Sequence, residues 1–344
     1  MNGFSWPGRA ARGGAPDADL GIAAQTMAAD LVTRGDGWER GSRSVLLAND
    51  RVSVEVVVDR ALDLAGARVD GIPVGWRSPT PIVAPWFVEQ RGFGPHRAFF
   101  GGLLTTGGLD HIGAPATASA ERFGYAAREL DELPMHGRLN GSPAVLRGYG
   151  VDASDGGMRA WVAGEVQQVA VFGENLVLER RIELRFGETR VRVEDRIRNL
   201  GYATSPLALL YHVNAGWPVA APGALIRVPG RAEPLEPLEA PDRDELERIR
   251  LHGAGGGRAR AAVTSRLADD EVVGMRVDWD AAVLPTLVEW RLLRGAGHYA
   301  VALEPTTFRP EGASPVLEPG EAVDAGIGIE LVHERVDPDG EERP

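Results

Sequence analysis

Apolar and polar residues alternate with period two along much of the chain, and that alternation predicts strands. Ser44–Leu47, Val52–Val58 and Leu62–Val69 read as strands, with Asn49-Asp50 and Asp70-Gly71 as the turns between them. The clearest block is Trp161–Leu210. There Val177, Glu179, Arg181, Glu183 and Arg185 alternate against Leu178, Arg180, Ile182, Leu184 and Phe186. After Gly187-Glu188, Arg190, Arg192, Glu194, Arg196 and Arg198 alternate against Val191, Val193, Asp195 and Ile197. One face is apolar and the other is a charged ladder, which reads as a solvated sheet face. Two segments carry helical spacing instead. Asp17–Arg34 places Leu20, Ala24, Met27, Ala28, Leu31 and Val32 on one stripe, and Pro241–Leu251 has acids early and arginine late.

The 44 glycines and 24 prolines are spread along the chain rather than gathered in a linker, as many short strands require. No internal repeat and no domain boundary stands out. The pattern predicts a mainly β protein, a large antiparallel β-sandwich with a few short helices. It is read as one domain over residues 1–344, with a helical segment about 17–34 and a core about 43–333. Strands and helices do not alternate as a doubly wound sheet requires.

A formal charge of −12 argues against a nucleic-acid partner, whose affinity rests on arginine and lysine meeting phosphates. The absence of cysteine removes disulfides, thiolate nucleophiles and cysteine-held zinc, and fits a cytoplasmic location. Residues 1–16 hold no apolar run, so no signal peptide is expected, and no stretch is long and apolar enough for a spanning helix. No phosphate loop, GxGxxG after a strand, HExxH or GxSxG occurs. Neither a nucleic-acid nor a membrane partner is expected from these features.

Without cysteine, the candidates for chemistry are histidines and carboxylates. His111 lies in GGLDHIG, His136 in LPMHGRLN, His96 in a Gly/Pro-rich loop and His212 in LLYHVNAGWP. The apolar run Pro206–Tyr211 ends in His212 and Asn214, which point the same way at period two. A polar pair there is either hydrogen-bonded in the core or open to a cleft. Glu304 follows the apolar strand Tyr299–Leu303, where desolvation raises a carboxyl pKa and makes a better base near neutral pH; an arginine-paired structural role is the alternative. Arg60 and Asp63 also end a strand and either pair with each other or meet a ligand. Trp76, Trp86, Trp217 and Trp290 are core residues or sugar-stacking platforms.

Arg190–Asn199, Gly201, Pro206, His212, Asn214, Gly216 and Pro218 resemble the central block of aldose 1-epimerases (galactose mutarotases). Ala302–Pro305 resembles the strand that delivers that family's catalytic Glu, Leu317–Gly320 with Ala322–Leu331 its closing strand, and His136-Gly137 its earlier His-Gly. Arg60–Asp63, Trp76–Pro79, Phe100–Leu109, Leu133–Asn140 and Tyr211–Pro218 resemble a branch of the superfamily known only as a domain of unknown function, over roughly residues 45–330. The resemblance implies the galactose mutarotase-like supersandwich and cofactor-free ring opening of a sugar. Glu304 would be the base, His212 the acid, His136 a second donor near the ring oxygen and Asn214 the orienter of His212. Arg60, Asp63, Trp76, His111 and Arg138 would be substrate contacts, and no metal is implied.

Three departures stand beside the resemblance. Val213 replaces the usual aromatic after the catalytic His, no Gly-Arg…Asn-Arg element is found, and Arg138 replaces a glycine. The added cation favours an acidic or otherwise unusual sugar. Two other readings fit the same residues. One is a non-catalytic carbohydrate-binding protein; the other is a sugar epimerase or lyase with a metal held by His111, His136, Glu304 and Asp110.

Overall fold

The computed structural model describes residues 25–123, 129–154, 157–268, 271–295, 298–311 and 314–335. Two large antiparallel sheets are stacked face to face. In the ten-stranded sheet the order is Ala28–Thr33, Arg43–Ala48, Val52–Val57, Asp63–Val69, Leu104–Leu109, Ala208–Ala215, Tyr299–Thr306, Thr286–Leu293 and Arg248–Gly253, with Ile72–Pro73 pairing off the fourth strand. In the eight-stranded sheet it is Ala144–Ser154, Gly157–Val169, Asn175–Arg185, Arg190–Asn199, Ala322–Arg335, Glu271–Asp280, Arg258–Ala268 and Leu225–Arg227. The predicted strands over 44–69 and the 161–210 block are all present, with the Asn49-Asp50 and Asp70-Gly71 turns between them. No helix among the described residues is long and apolar enough to cross a membrane.

The period-two pattern builds the core. Leu178, Ile182, Leu184, Val191, Val193 and Ile197 point inward and join one buried apolar cluster with Val56, Leu64, Leu104 and Tyr211 of the facing sheet. Outward, the ladder pairs opposite charges. Glu179 accepts from Arg198 at 2.8 Å, Asp324 accepts from Arg196 at 2.8 Å, and Arg181 lies 4.4 Å from the Trp161 ring centroid. Such exposed pairs are worth only about 0.2–1 kcal/mol each.

The inward face also holds charge. Arg180, wholly buried, donates from Nε and Nη2 to the two oxygens of Asp195 at 2.8 and 2.7 Å, and from Nη1 to Asp63 at 3.1 Å and Thr106 Oγ1 at 2.9 Å. Tyr211 donates its hydroxyl to Asp195 at 2.7 Å. Asp63 further accepts from the Thr106 hydroxyl at 2.7 Å and backbone N–H at 3.0 Å. Burial pushes Asp63 up to about 6 against the pull of Arg180 and Thr106. Burial would lower the Arg180 guanidinium, but Asp195 and Asp63 hold it above its ordinary value.

Both expected helices are corrected. Residues 17–24 lie outside the described part, and Ala28–Thr33 is an edge strand paired with Arg43–Ala48 through Leu31↔Val45 and Ala29↔Leu47. A free strand edge supplies a ladder of hydrogen bonds that outweighs a weak helical stripe. Pro241–Leu251 is irregular, with bends at Arg243 and Asp244, until it enters the strand Arg248–Gly253, paired with Thr286–Leu293. Glu245, one of the acids read as helix-dipole partners, instead binds Arg248 directly, and Glu239 just before the segment binds the other nitrogen at 2.6 Å.

Arg180→Ala leaves two interior carboxylates without their cation and is expected to lower stability by about 3–5 kcal/mol. Tyr211→Phe removes one bond to a charged acceptor and is expected to cost about 1.5–3 kcal/mol. Urea denaturation of both variants checks the order. Equal losses would mean that the guanidinium is not what holds the pair of carboxylates.

Candidate active site

Tyr211 and His212 are neighbours on one strand, so they point to opposite faces of the ten-stranded sheet. Tyr211 reaches Asp195 in the core, and His212 therefore projects from the outer face. The register pairs Leu210↔Thr306 and Val213↔Leu303, which sets His212 opposite Glu304. His212 Nε2 lies 3.2 Å from Glu304 Oε1, with side chains 10% and 4% exposed. Residues from distant parts of the sequence thus meet on adjacent strands.

Aromatic rings wall the pair. Phe99 packs on His212 with ring centroids 5.4 Å apart, Trp290 at 5.9 Å, and Trp76 sits 6.3 Å from Trp290 and 6.1 Å from Phe99. Trp290 donates its Nε1–H to Glu247 at 3.0 Å, which places a carboxylate at the rim. Gly216 makes room for Trp76: a Cβ there would come 2.6 Å from the Trp76 Cα.

His136 closes the other side, its ring 5.9 Å from that of His212 and nearly perpendicular to it. Its loop lies directly on the Leu104–Leu109 strand. A Cβ at Gly107 would come 3.2 Å from His136 Cβ, and one at Gly137 would come 2.3 Å from the Gly108 carbonyl oxygen. His136 itself adopts φ +55, uncommon for a side chain of this kind and characteristic of positions held by their surroundings. The Gly113 N–H donates to His136 Nδ1 at 3.3 Å, so the neutral ring carries its proton on Nε2.

Burial governs the electrostatics. It pushes Glu304 up to about 8, with Glu247 adding to the rise. It pushes His212 down to about 3, and His136 down to about 4 with help from His111 and His96. Between those limits the His212–Glu304 pair holds one proton, which resides on the carboxyl. His212 Nδ1 and Asn214 Oδ1 are buried without hydrogen-bond partners. This arrangement is a neutral donor–acceptor pair beside a fixed N–H donor and three ring faces.

The sequence matches a family model described as "Domain of unknown function (DUF4432)" over residues 39–329. The chain belongs to this family. No functionally curated protein matches it. Solved structures match the DUF4432 chain in fold. A candidate aldose 1-epimerase from Klebsiella pneumoniae superposes with TM-score 0.76 at 18% identity, covering 90% of this chain and 84% of that one. A galactose 1-epimerase from Lactobacillus acidophilus gives 0.58 at 14%, covering 90% and 99%. A galactose mutarotase-like protein from Clostridium acetobutylicum gives 0.59 at 13%, covering 91% and 100%. The fold is thus the expected galactose mutarotase-like sandwich, and at these identities the likeness speaks for fold alone.

The predicted site residues fall into two groups. His212, Glu304, His136 and Trp76 come together. Asn214 sits beside them: its Nδ2 donates to the His212 backbone carbonyl at 3.0 Å, and its side chain favours the protonated form of the His212 ring against the effect of burial. Arg60 and Asp63, expected at the substrate, are fully buried. Arg60 spends its donors on the Asn140 and Val83 carbonyls and lies 5.2 Å from the Phe100 ring centroid, while Asp63 belongs to Arg180 rather than to Arg60. Arg138 donates to Asp110 at 3.0 Å, to Asp131 at 3.4 Å and to the Glu132 carbonyl at 2.5 Å, so its charge is balanced by the protein and does not argue for an acidic sugar. His111 holds its own loop through Nε2 and the Ala114 carbonyl at 2.7 Å. Among the described residues no three His, Asp or Glu side chains gather as metal ligands, so the alternative set of His111, His136, Glu304 and Asp110 is not assembled.

Trp86 and Trp217 are exposed. Phe99 and Glu247 carry no sequence signal. Phe99 comes from a loop, and Glu247 lies in the segment read as helix.

Folded Glu304 keeps a proton up to about pH 8, whereas an ordinary glutamate releases it near 4.5. Its contribution to stability therefore falls as pH rises through that window. Glu304→Gln is expected to gain stability relative to the parent from pH 4.5 to 8. Denaturation at several pH values measures this, and a pH-independent difference would contradict a desolvated carboxyl.

Proposed function

We propose that this protein is an aldose 1-epimerase-like isomerase that interconverts the anomers of a small sugar. The observation that carries the reading is the 3.2 Å approach of His212 Nε2 to Glu304 Oε1 under Trp76, Phe99 and Trp290. Ring opening needs one group to take the anomeric hydroxyl proton while another gives a proton to the ring oxygen. A pair holding a single proton has the right inventory.

Moving the shared proton across the gap turns the resting carboxyl and imidazole into carboxylate and imidazolium. Glu304 then takes the C1 hydroxyl proton as the C1–ring oxygen bond breaks, and the released electron pair on the ring oxygen takes the His212 proton. The open-chain aldehyde remains, and the pair is back in its resting state. After rotation about C1–C2, the same steps run in reverse and give the other anomer. The neutral Nε2–H of His136 supports the charge that develops on the ring oxygen, and the ring faces pack against the apolar side of the sugar. The cycle needs no cofactor, because every proton taken is returned.

Glu304→Gln and His212→Ala are each expected to lower anomer exchange by about 10²–10⁴-fold, followed by NMR exchange on a panel of sugars. The parent rate is expected to fall above about pH 8, where the shared proton is lost and no acid remains. Sugar binding with parent and variants equally slow would instead favour a non-catalytic carbohydrate-binding protein.

A further inference from the structure

Glu247 stands at the mouth of the cleft. It directly precedes the strand Arg248–Gly253, is exposed, and accepts the Trp290 Nε1–H on Oε2 at 3.0 Å. Trp290 packs in turn on His212, with ring centroids 5.9 Å apart. The register Ile249↔Trp290 sets Ile249 on the face of that ring and turns Arg248 and Arg250 to the other face of the sheet, where Glu239, Glu245 and Glu236 take them. The Glu247 carboxylate is therefore fixed beside the cleft by an indole edge, and its Oε1 has no protein partner among the described residues.

No cation of the protein answers this carboxylate. The chain contains no lysine, and the arginines of the loops around the cleft are engaged elsewhere: Arg138 with Asp110 and Asp131, and Arg97 with Glu89 at 3.6 Å. At the base of the cleft Glu304, His212 and His136 are held neutral by burial, and Glu247 lies close enough to act on both Glu304 and His136. The other polar groups near His136 are imidazoles. His111 Nε2 is taken by the Ala114 carbonyl at 2.7 Å, and His96 stacks on Phe93 with centroids 5.4 Å apart. The mouth thus presents an accessible carboxylate beside a half-buried indole. An acidic sugar would meet that charge with no guanidinium to offset it. A hydroxyl can donate to Oε1, but an ammonium adds charge to the hydrogen bond and is drawn to the indole face as well.

We propose that the cleft selects a sugar bearing a free primary amine, with Glu247 as the residue that recognises the ammonium group and Trp290 as the ring it lies against. The proposal rests on the isomerase reading of the cleft and adds to it the class of sugar. Glu247 determines specificity here and exchanges no proton in the cycle.

The test follows anomer exchange by the full chain, near neutral pH, on glucosamine and 6-amino-6-deoxyglucose against glucose, N-acetylglucosamine and glucuronate. At least one amino sugar is expected to exceed glucose and N-acetylglucosamine in kcat/KM by about tenfold or more, with glucuronate lowest. Glu247→Gln keeps an oxygen for the Trp290 N–H and removes the charge. It is expected to bring the amino-to-neutral ratio of kcat/KM to near parity, mainly through a higher KM for the amino sugar. The ratio is taken within one variant, so it cancels any change the substitution makes at Glu304. Equal kcat/KM for glucose and both amino sugars in the parent, or an unchanged ratio in Glu247→Gln, would overturn the proposal and leave the isomerase reading standing. Exchange of no sugar above the uncatalysed rate would instead overturn the isomerase reading, and calorimetric titration of the same panel then decides the preference by itself. Amino-sugar binding that is lost in Glu247→Gln supports it; glucose binding as tight, or no amino-sugar binding, overturns it.

Discussion

The guanidinium of Arg180, clamped between Asp195 and Asp63, is the contact on which the arrangement of the two sheets depends. Arg180 and Asp195 belong to the eight-stranded sheet and Asp63 to the ten-stranded sheet, with Thr106 and Tyr211 of that same sheet completing the set. An interior ion cluster tolerates little displacement, because each partner left alone carries a large desolvation cost. It therefore fixes how the Asp63–Val69, Leu104–Leu109 and Ala208–Ala215 strands sit over the second sheet. The pleat then dictates the rest: with Tyr211 turned to Asp195, His212 is turned outward, in line with Thr105 and opposite Glu304.

On the outward face the electrostatics reverse. Behind the sheet, charges are kept by pairing them, whereas in front of it His212, His136 and Glu304 are held neutral by burial. Phe99, Trp76 and Trp290 exclude water from the same space. Neutral acid and base groups close together suit reversible proton exchange better than permanent charges do. Glycines bring the third group into range: Gly137 lets the His136 loop lie against the strand at a distance no side chain would allow, and Gly107 eases the same approach.

The match to solved sandwiches at 13–18% identity fits this division. Alternation, turn chemistry and core volume specify stacked antiparallel sheets, and many side chains satisfy them. A shared fold leaves the chemistry to a few positions grafted on it. In the proposed reading those positions are His212 and Glu304, inside adjacent strands, and His136 in the turn that covers them.

The strands were legible because period two is a local property, visible in Val52–Val57 or Asn175–Arg185 without any partner. That His212 and Glu304 extend apolar strands was legible for the same reason, but each reads as the end of its strand, whereas the strands run on to Ala215 and Thr306. What the sequence left open was decided by pairing across long separations. Arg60 and Asp63 read as an ion pair or a ligand contact at a strand end, yet Asp63 pairs with one nitrogen of Arg180, 117 residues away. Arg138 reads as a free cation beside the His-Gly, yet Asp110 and Asp131 neutralise it. Ala28–Thr33 and Arg248–Gly253 carry helical spacing, yet each lies at an edge of the ten-stranded sheet, where a row of unpaired backbone groups outweighs local propensity. By itself the sequence determined which residues face inward and which strands carry the candidate groups. Tertiary structure alone decided which charges meet, because ion pairing and burial depend on distances that local periodicity does not encode.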